Sequence, residues 1–498
     1  MRAIAVVSVV AVFSAAAVVA SLHAAAQTSA PDANALINAA AAAMGSARLR
    51  SLQYTATGSF GATGNAYTSG GPWPRFTVTK YTMSIDYSLP AMRQELARVD
   101  DAKPPRGGGA GGYNPATFQG GIRPVPGDMI QNQTFNARTQ AGAIAFWLTP
   151  HGFLKGAAAN LATAKAAIVR GKRTVTFTAF GKFPVTATLD DKNVVEHVET
   201  LVDNVFTGDT VLDGTYADYR NLDGIQIPMH IVMREAGFPV LDITVAQARP
   251  NSSDAVDVVA RATSATPPAP AAAGPPQAPL RIADGIWQLT PNVEGSILVE
   301  FKDYVVMVEA PISDAVSVAS MDAAKRLAPG KPIKYVINTH HHADHSGGLR
   351  AYVAEGVPII THESHRKYYE EQIFKNPHSL NPDRLARMPR APMIETMKDK
   401  RVLTDGNMVL EIHLMKEQLH TEGLLMVYVP KERILIQADA YIPRPGAPPL
   451  PAPSPHTINL VDNVSRLKLN VDRVFHIHGG SSPYAEVLAA AGRSNATH

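Results

Sequence analysis

Apolar and polar positions alternate through much of the first half of the chain. The alternation is clear in Phe76-Thr77-Val78-Thr79 and in Tyr81-Thr82-Met83-Ser84-Ile85-Asp86-Tyr87. It returns over Arg173 to Ala179, Phe183 to Leu189, Val194 to Val202, Thr210 to Tyr219, Ile225 to Met233 and Val240 to Ala246. A period of two turns successive side chains to opposite faces, so each run reads as a strand with one face in a core. Asp190-Asp191-Lys192-Asn193 and Asn221-Leu222-Asp223-Gly224 are turn formers that join neighbouring strands as antiparallel hairpins. Alanine-rich Pro31 to Ser51 and the patch Leu154 to Val169 carry helical spacing instead. Residues 31–260 are thus expected to form a mainly antiparallel β domain, a curved sheet holding helices on its concave side.

Arg261 to Leu280 is rich in proline and alanine and predicts an extended linker, residues 261–280. Beyond it the pattern changes. Short apolar runs, Gly285 to Thr290, Ser296 to Phe301, Tyr304 to Glu309 and Ile333 to Asn338, are interrupted by a helical pattern over Ala315 to Leu327. Runs of that kind, apolar on both faces, suit a layered α/β domain, here residues 281–490. Two domains agree with a length of 498 residues.

Composition narrows the chemistry. A net charge of +3 with no basic block argues against nucleic acid and leaves a small-molecule substrate as the expected partner. The chain has no cysteine, so neither disulfides nor thiolate ligands are available, and any metal must be held by His, Asp or Glu. Met1 to Ala26 has Arg2, an almost wholly apolar stretch and Ala24-Ala25-Ala26. It reads as a signal peptide, residues 1–26, implying a periplasmic or secreted protein with no membrane span after its removal. Gly-rich Arg106 to Gly121 lacks the strand, helix and lysine of a phosphate loop and is expected to be a flexible hairpin tip.

The densest chemistry is Thr339-His340-His341-His342-Ala343-Asp344-His345-Ser346-Gly347-Gly348, directly after the apolar Tyr335-Val336-Ile337-Asn338. In an extended segment His340 and His342 share a side, and Asp344 and His345 follow in the turn, able to face a second ion. His420, Asp439 and His478 each lie beside a short apolar run, at positions where loops gather at one sheet edge.

Taken in order, His340-x-His342-x-Asp344-His345, His420, Asp439 and His478 resemble the motifs of the metallo-β-lactamase-fold hydrolase superfamily. The resemblance implies an αββα sandwich. It implies His340, His342 and His420 on a first ion, Asp344, His345 and His478 on a second, and Asp439 bridging both. Two divalent ions are then the expected cofactors, zinc first, with iron or manganese as alternatives. The missing cysteine departs from the best-known β-lactamase groups, and Asp439 matches the bridging aspartate of thioester hydrolases, lactonases and phosphodiesterases. His342 stands where the flavin-linked di-iron branch has glutamate. Separately, Tyr216 to Pro228 resembles the late hairpin of lipoprotein-carrier-like half-barrels, which would imply an apolar ligand in the N-terminal domain.

Two divalent ions about 3.5–4 Å apart can hold a hydroxide between them while one polarises a carbonyl or phosphoryl oxygen. Asp344 is the candidate catalytic residue, placed to orient the water and pass its proton on. The expected reaction is hydrolysis of an ester, lactone, thioester, lactam or phosphoester. The alternatives are a lipid or lipoprotein carrier with an accessory metal domain and an iron redox enzyme on the same ligands. Tyr441 is a candidate oxyanion donor and His476 a candidate behind the ligands, although a core role suits His476 better. His341 alternates against its neighbours and is expected behind the ligands or at the surface. His413 reads as structural, His362 and His365 as packing or surface residues, and Ser346 as a cap for the helix that follows.

Overall fold

The computed structural model describes residues 32–108, 129–136, 138–264, 278–289, 295–443 and 452–494. Residues 1–26, read from sequence as a signal peptide, most of the expected linker, and the glycine-rich stretch beyond Gly108 lie outside the described residues. Among the described residues no helix is long and apolar enough to cross a membrane.

Eleven strands between Ser51 and Pro250 form one sheet in which every neighbouring pair is antiparallel. Its first strand in the chain, Ser51–Gly61, pairs with its last, Phe238–Pro250, so the two halves of the sheet meet at its middle. In Phe183–Leu189 every second residue is buried, as the alternation predicts. Helices Ala33–Met44, Gln140–Trp147 and Pro150–Ala159 contribute Ile37, Met44, Phe146 and Phe153 to a core shared with Tyr81, Phe177, Val185 and Ile243 of the sheet. The third of these helices starts where Thr149 Oγ1 accepts from Gly152 N and Pro150 takes the first turn.

Several expectations are corrected here. Phe76–Thr79 and Tyr81–Asp86 belong to one strand, Arg75–Asp86, which ends just before Tyr87 and absorbs a register shift at Val78/Lys80. Leu154 to Val169 is not one helix: Asn160 leaves helical geometry, and Lys165–Val169 is an edge strand. Arg170 and Gly171, both at positive φ, form the two-residue turn that sends it back along Lys172–Ala179. Ile225 to Met233 splits at Pro228, which has no N–H for a ladder, into Ile225–Ile227 and His230–Glu235. The expected linker begins inside a helix, Ser253–Ser264, anchored by buried Ala255 and Val259.

The C-terminal region holds two sheets. The seven-stranded one runs antiparallel from Leu280–Ala283 to Val305–Val308, then parallel through Ile333–Ile337 and Ile359–His362 to Ile394–Met397. The other has six strands, with Ile434–Gln437 and Arg473–His476 parallel at its far side. Val306 and Val308 face the six-stranded sheet in one apolar cluster, while Val305 and Met307 face the helices Asp314–Leu327 and Leu349–Ala354 in another. Leu460 and Val461 of Pro455–Arg466 cover the six-stranded sheet. Helix, sheet, sheet, helix is the expected αββα layering.

The two regions are joined by more than the chain. Leu380 enters the N-terminal core and Phe206 the C-terminal one. Asp209 accepts hydrogen bonds from Ser379 N, 2.9 Å, and Leu380 N, 3.1 Å, while its own N–H donates to Pro377 O, 2.8 Å. Residues 377–380 therefore serve as a docking segment between the two regions.

Candidate metal centre

Strand ends deliver the site. Ile333–Ile337 opens into the histidine run, Ile434–Gln437 stops two residues before Asp439, and Arg473–His476 two before His478. His342 takes the N-cap position of a one-turn helix, Ala343–Ser346, which turns Asp344 and His345 away from the path of His340 and His342. Ser346 Oγ donates back to His342 O, 2.6 Å, and His341 O, 3.1 Å. It tightens this turn, and the sequence expectation that Ser346 caps the following helix is corrected, since Gly348 takes that position. Gly347 and Gly348 let the run pack against residues 312–317, where a Cβ on Gly348 would meet Ser313 O at 2.7 Å.

All seven sequence-predicted ligands come together in two groups. His340, His342, His420 and Asp439 form one, and Asp344, His345, Asp439 and His478 the other, with the candidate ligand atoms of each group within 4.8 Å of one another. Asp439 lies in both. Its Oδ2 is 2.9 Å from His420 Nε2 and 3.9 Å from His340 Nε2, and its Oδ1 is 2.8 Å from His345 Nε2 and 3.0 Å from His478 Nε2. Asp344 Oδ2 sits 3.3 Å from His345 Nε2 and 3.4 Å from His478 Nε2.

The donor set fits cations. Both oxygens of Asp344 and of Asp439, and His342 Nδ1, are buried without a hydrogen-bond partner, which is costly unless a charge of opposite sign is held there. Burial pushes His340 and His342 down, His342 to about 3, so these imidazoles are neutral and have lone pairs to give. Burial pushes His478 down as well, but the negative charges of Asp439 and Asp344 beside it outweigh burial and hold the group up at about 10. Asp344 and Asp439, although buried, are held below the usual carboxylate range by His345 and its neighbours. Imidazole and carboxylate without sulfur suit zinc, manganese and iron.

Several of the ligands are held from behind. Thr339 Oγ1 is 3.0 Å from His340 Nδ1, leaving Nε2 to face the site. Gln418 Oε1 accepts from the backbone N–H of Leu419 and His420. Glu309, not singled out from sequence, is fully buried, accepts from Thr339 N at 3.1 Å and lies 3.5 Å from His345 Nδ1. Its one signal is an acid at the end of a wholly apolar strand, Val305–Val308. Such partners fix ring orientation and raise ligand basicity.

Other backing groups come from the N-terminal region. His342 Nε2 lies 2.9 Å from Ala66 O, and because a carbonyl can only accept, Nε2 carries the proton and Nδ1 faces the site. Gly107 N donates to Leu419 O, 2.9 Å, and Glu422 N to Tyr67 O, 2.8 Å, one on each side of His420. The described end of the glycine-rich stretch, Gly107 and Gly108, is thus seated on the site and is not a free tip.

The remaining candidates sort by contact. His341 is buried, not at the surface; its Nδ1 is 3.2 Å from Thr421 Oγ1 and its ring lies 5.1 Å from that of His365. His476 is a satisfied core histidine, between Gln437 Nε2 at 2.8 Å and Ser482 Oγ at 2.9 Å. Tyr441 packs edge-on against it, ring centroids 5.1 Å apart. His413 pairs with Glu411 at 2.9 Å, His365 is buried and meets Ser69 Oγ at 2.6 Å, and His362 is half-buried.

The family comparison points the same way. The model of the metallo-beta-lactamase superfamily matches residues 290–478. A linear primary-alkylsulfatase from Pseudomonas sp is 36% identical over 75 residues, which is 15% of this chain and 11% of that protein. The chain therefore aligns with about a tenth of that curated relative's length. Among solved structures, a metallo-beta-lactamase from Pontibacter korlensis matches with 16% identity and a TM-score of 0.33, over 43% of this chain and 96% of that one. An inverting sec-alkylsulfatase from Pseudomonas sp. matches with 16% identity and a TM-score of 0.32, over 42% of this chain and 40% of that one. The match to the metallo-beta-lactamase superfamily thus falls on the residues that carry the motif order, the layering and the two ligand groups.

Proposed function

We propose that this chain is a dinuclear metal-dependent hydrolase, with His340, His342 and His420 on one ion, Asp344, His345 and His478 on the other, and Asp439 between them. The observation that carries this reading is Asp439, whose two oxygens face two separate histidine groups while making no hydrogen bond of their own. Divalent ions bound there would supply a Lewis acid and bring the pKa of a bound water from about 15.7 to about 7.

The chain's own part follows from its charges. Asp344, ionised and without a hydrogen-bond partner, can take the proton lost by the attacking water and return it to the leaving oxygen. His340 and His342, neutral through burial, would leave the positive charge to an ion held there and so to the substrate oxygen. Candidate substrates are esters, lactones, thioesters, lactams and phosphoesters. A sulfate ester joins them because of the 75-residue similarity to the linear primary-alkylsulfatase.

The test is to load metal-free protein with zinc, manganese or iron and assay each substrate class, with His340→Ala and Asp344→Ala beside it. Turnover in the wild type and loss in both variants is the expected result, and equal activity in the variants would remove the assigned site. Activity confined to the iron form with oxygen uptake would favour redox chemistry instead. We further read residues 31–260 and 281–490 as separate domains and Met1 to Ala26 as an export signal, supported by the separate apolar cores and the apolar leader. The mass of the protein recovered from a periplasmic fraction checks the second of these. The apolar side of the large sheet is covered by Ile37, Met44, Phe146 and Phe153, which favours a scaffold over a carrier. Native mass spectrometry of the purified chain, searching for a retained acyl ligand, decides between them.

A further inference from the structure

We infer that the N-terminal region is part of the first metal position: residues 65–67 and 107–108 set the orientation of His342 and His420, while the described supports of the second position come from the C-terminal region. The inference rests on the reading that the two groups hold ions.

Three observations carry it. The first is the tautomer of His342. A buried neutral imidazole has one N–H, and the acceptor it finds decides which nitrogen keeps its lone pair. Here the acceptor is Ala66 O, and the nitrogen left over, Nδ1, is buried with no partner. With Ala66 O moved away, nothing would hold the proton on Nε2, and the tautomer protonated on Nδ1, which has no lone pair to give there, would compete.

The second is the grip on the loop that carries His420. Gly107 N holds Leu419 O on one side; on the other, Tyr67 O accepts from Glu422 N and from Thr421 Oγ1, 3.0 Å. The two N-terminal segments are themselves tied together by Gly108 N donating to Asn65 O, 3.1 Å. They therefore act as one clamp.

The third is how closely the clamp fits. A Cβ on Gly108 would fall 2.8 Å from His342 Cε1, 3.0 Å from His342 Nδ1 and closer still to His420 Cε1. The neighbours in the way are two ligand rings already pinned from behind, so the smallest added side chain must displace one of them or the clamp. On the opposite side, the described supports are Glu309 behind His345 and the turn of Ala343–Ser346, all from residues 309–346.

The experiment uses the full chain, with Gly108→Ala as the main variant and Thr421→Val as a milder one that removes a hydrogen bond of the clamp. Zinc occupancy is followed by chelator competition, and cobalt(II) absorption distinguishes the two positions, assigned with His340→Ala and His478→Ala. The wild type is expected to hold two ions. Gly108→Ala should hold the second with unchanged affinity and the first about 10–100-fold more weakly, the usual range for losing a group that orients a ligand. Thr421→Val should weaken the same position by a smaller factor, about threefold or more. Circular dichroism and thermal unfolding report whether each variant folds, and if Gly108→Ala does not, Thr421→Val decides. Unchanged affinity at the first position, or equal weakening at both, overturns the inference while leaving the proposed function standing. A wild type that binds no ion takes both down.

Discussion

His151 in the N-terminal region and His342 in the C-terminal region are both shut away from water, and their surroundings differ in one respect. His151 is satisfied at both nitrogens, by Ser46 Oγ at 2.7 Å and Gln226 O at 2.9 Å, and ties a helix to the hairpin at Ile225–Ile227. His342 is satisfied at one nitrogen only, and the other is buried without a partner in a group with His340, His420 and the unpartnered carboxylate of Asp439. Burial by itself marks neither a structural nor a functional histidine. What separates them is an unfilled hydrogen-bonding capacity that several side chains share at one place. His476 supports this from within the C-terminal region: it lies close to His478 in sequence, is fully buried, and is satisfied at both ring nitrogens.

The contrast can be broken most severely at Asp439, the one residue common to both ligand groups. Asp439→Ala should lose both ions and lower kcat/KM by on the order of 10³-fold, seen in metal content and rate together. A variant that retains two ions would mean that the shared carboxylate is incidental.

The satisfied histidine makes the opposite prediction, one of stability alone. Burial pushes His151 down to about 4 from an ordinary value of 6.5, the backbone bond to Gln226 only partly opposing it. Because the folded value is depressed, the unfolded chain takes up this proton first as pH falls. Stability from this group is complete above about pH 6.5 and is lost progressively down to about pH 4, roughly 3 kcal/mol in all. Urea unfolding of His151→Gln over that window should show a correspondingly shallower acid destabilisation than the wild type, with metal content unchanged.

Glu309→Gln sharpens the comparison within the centre itself. Removing the carboxylate behind His345 should weaken the second position by about 10–100-fold and spare the first, the mirror image of the change expected at Gly108. Chelator competition reads it. The smallest effect is expected at the docking segment. Asp209→Ala removes the acceptor for Ser379 N and Leu380 N and should cost about 1–2 kcal/mol in urea unfolding, with the catalytic rate nearly unchanged.

Much of this was readable before any coordinates. The seven ligands stand beside apolar runs that are strands in the structure, and their residue types suffice to name the metal chemistry. The strands of the large sheet follow their alternation closely, with Phe183–Leu189 matching to the residue. The errors cluster where local signals conflict. Lys165–Val169 follows an alanine-rich helix whose spacing runs into it, and only pairing with Lys172–Ala179 makes it a strand. Helix Gln140–Trp147 has glycine and aromatic residues that obscure its period, and its Thr139 cap is the clearest sign of it.

The sequence by itself determined the alternating strands, the absence of thiolate chemistry, and the identity and order of the ligands, because these are properties of side chains in their local spacing. Only the tertiary structure decided which nitrogen of His342 faces the site, that Asp439 presents one oxygen to each group, and that Ala66 and Gly108 belong to the centre at all. The physical reason is that these last contributions come from a carbonyl group and from the lack of a side chain. Every residue has the first and every glycine the second, so neither leaves a mark in sequence until folding brings residues 66 and 342, which are 276 positions apart, to within a hydrogen bond.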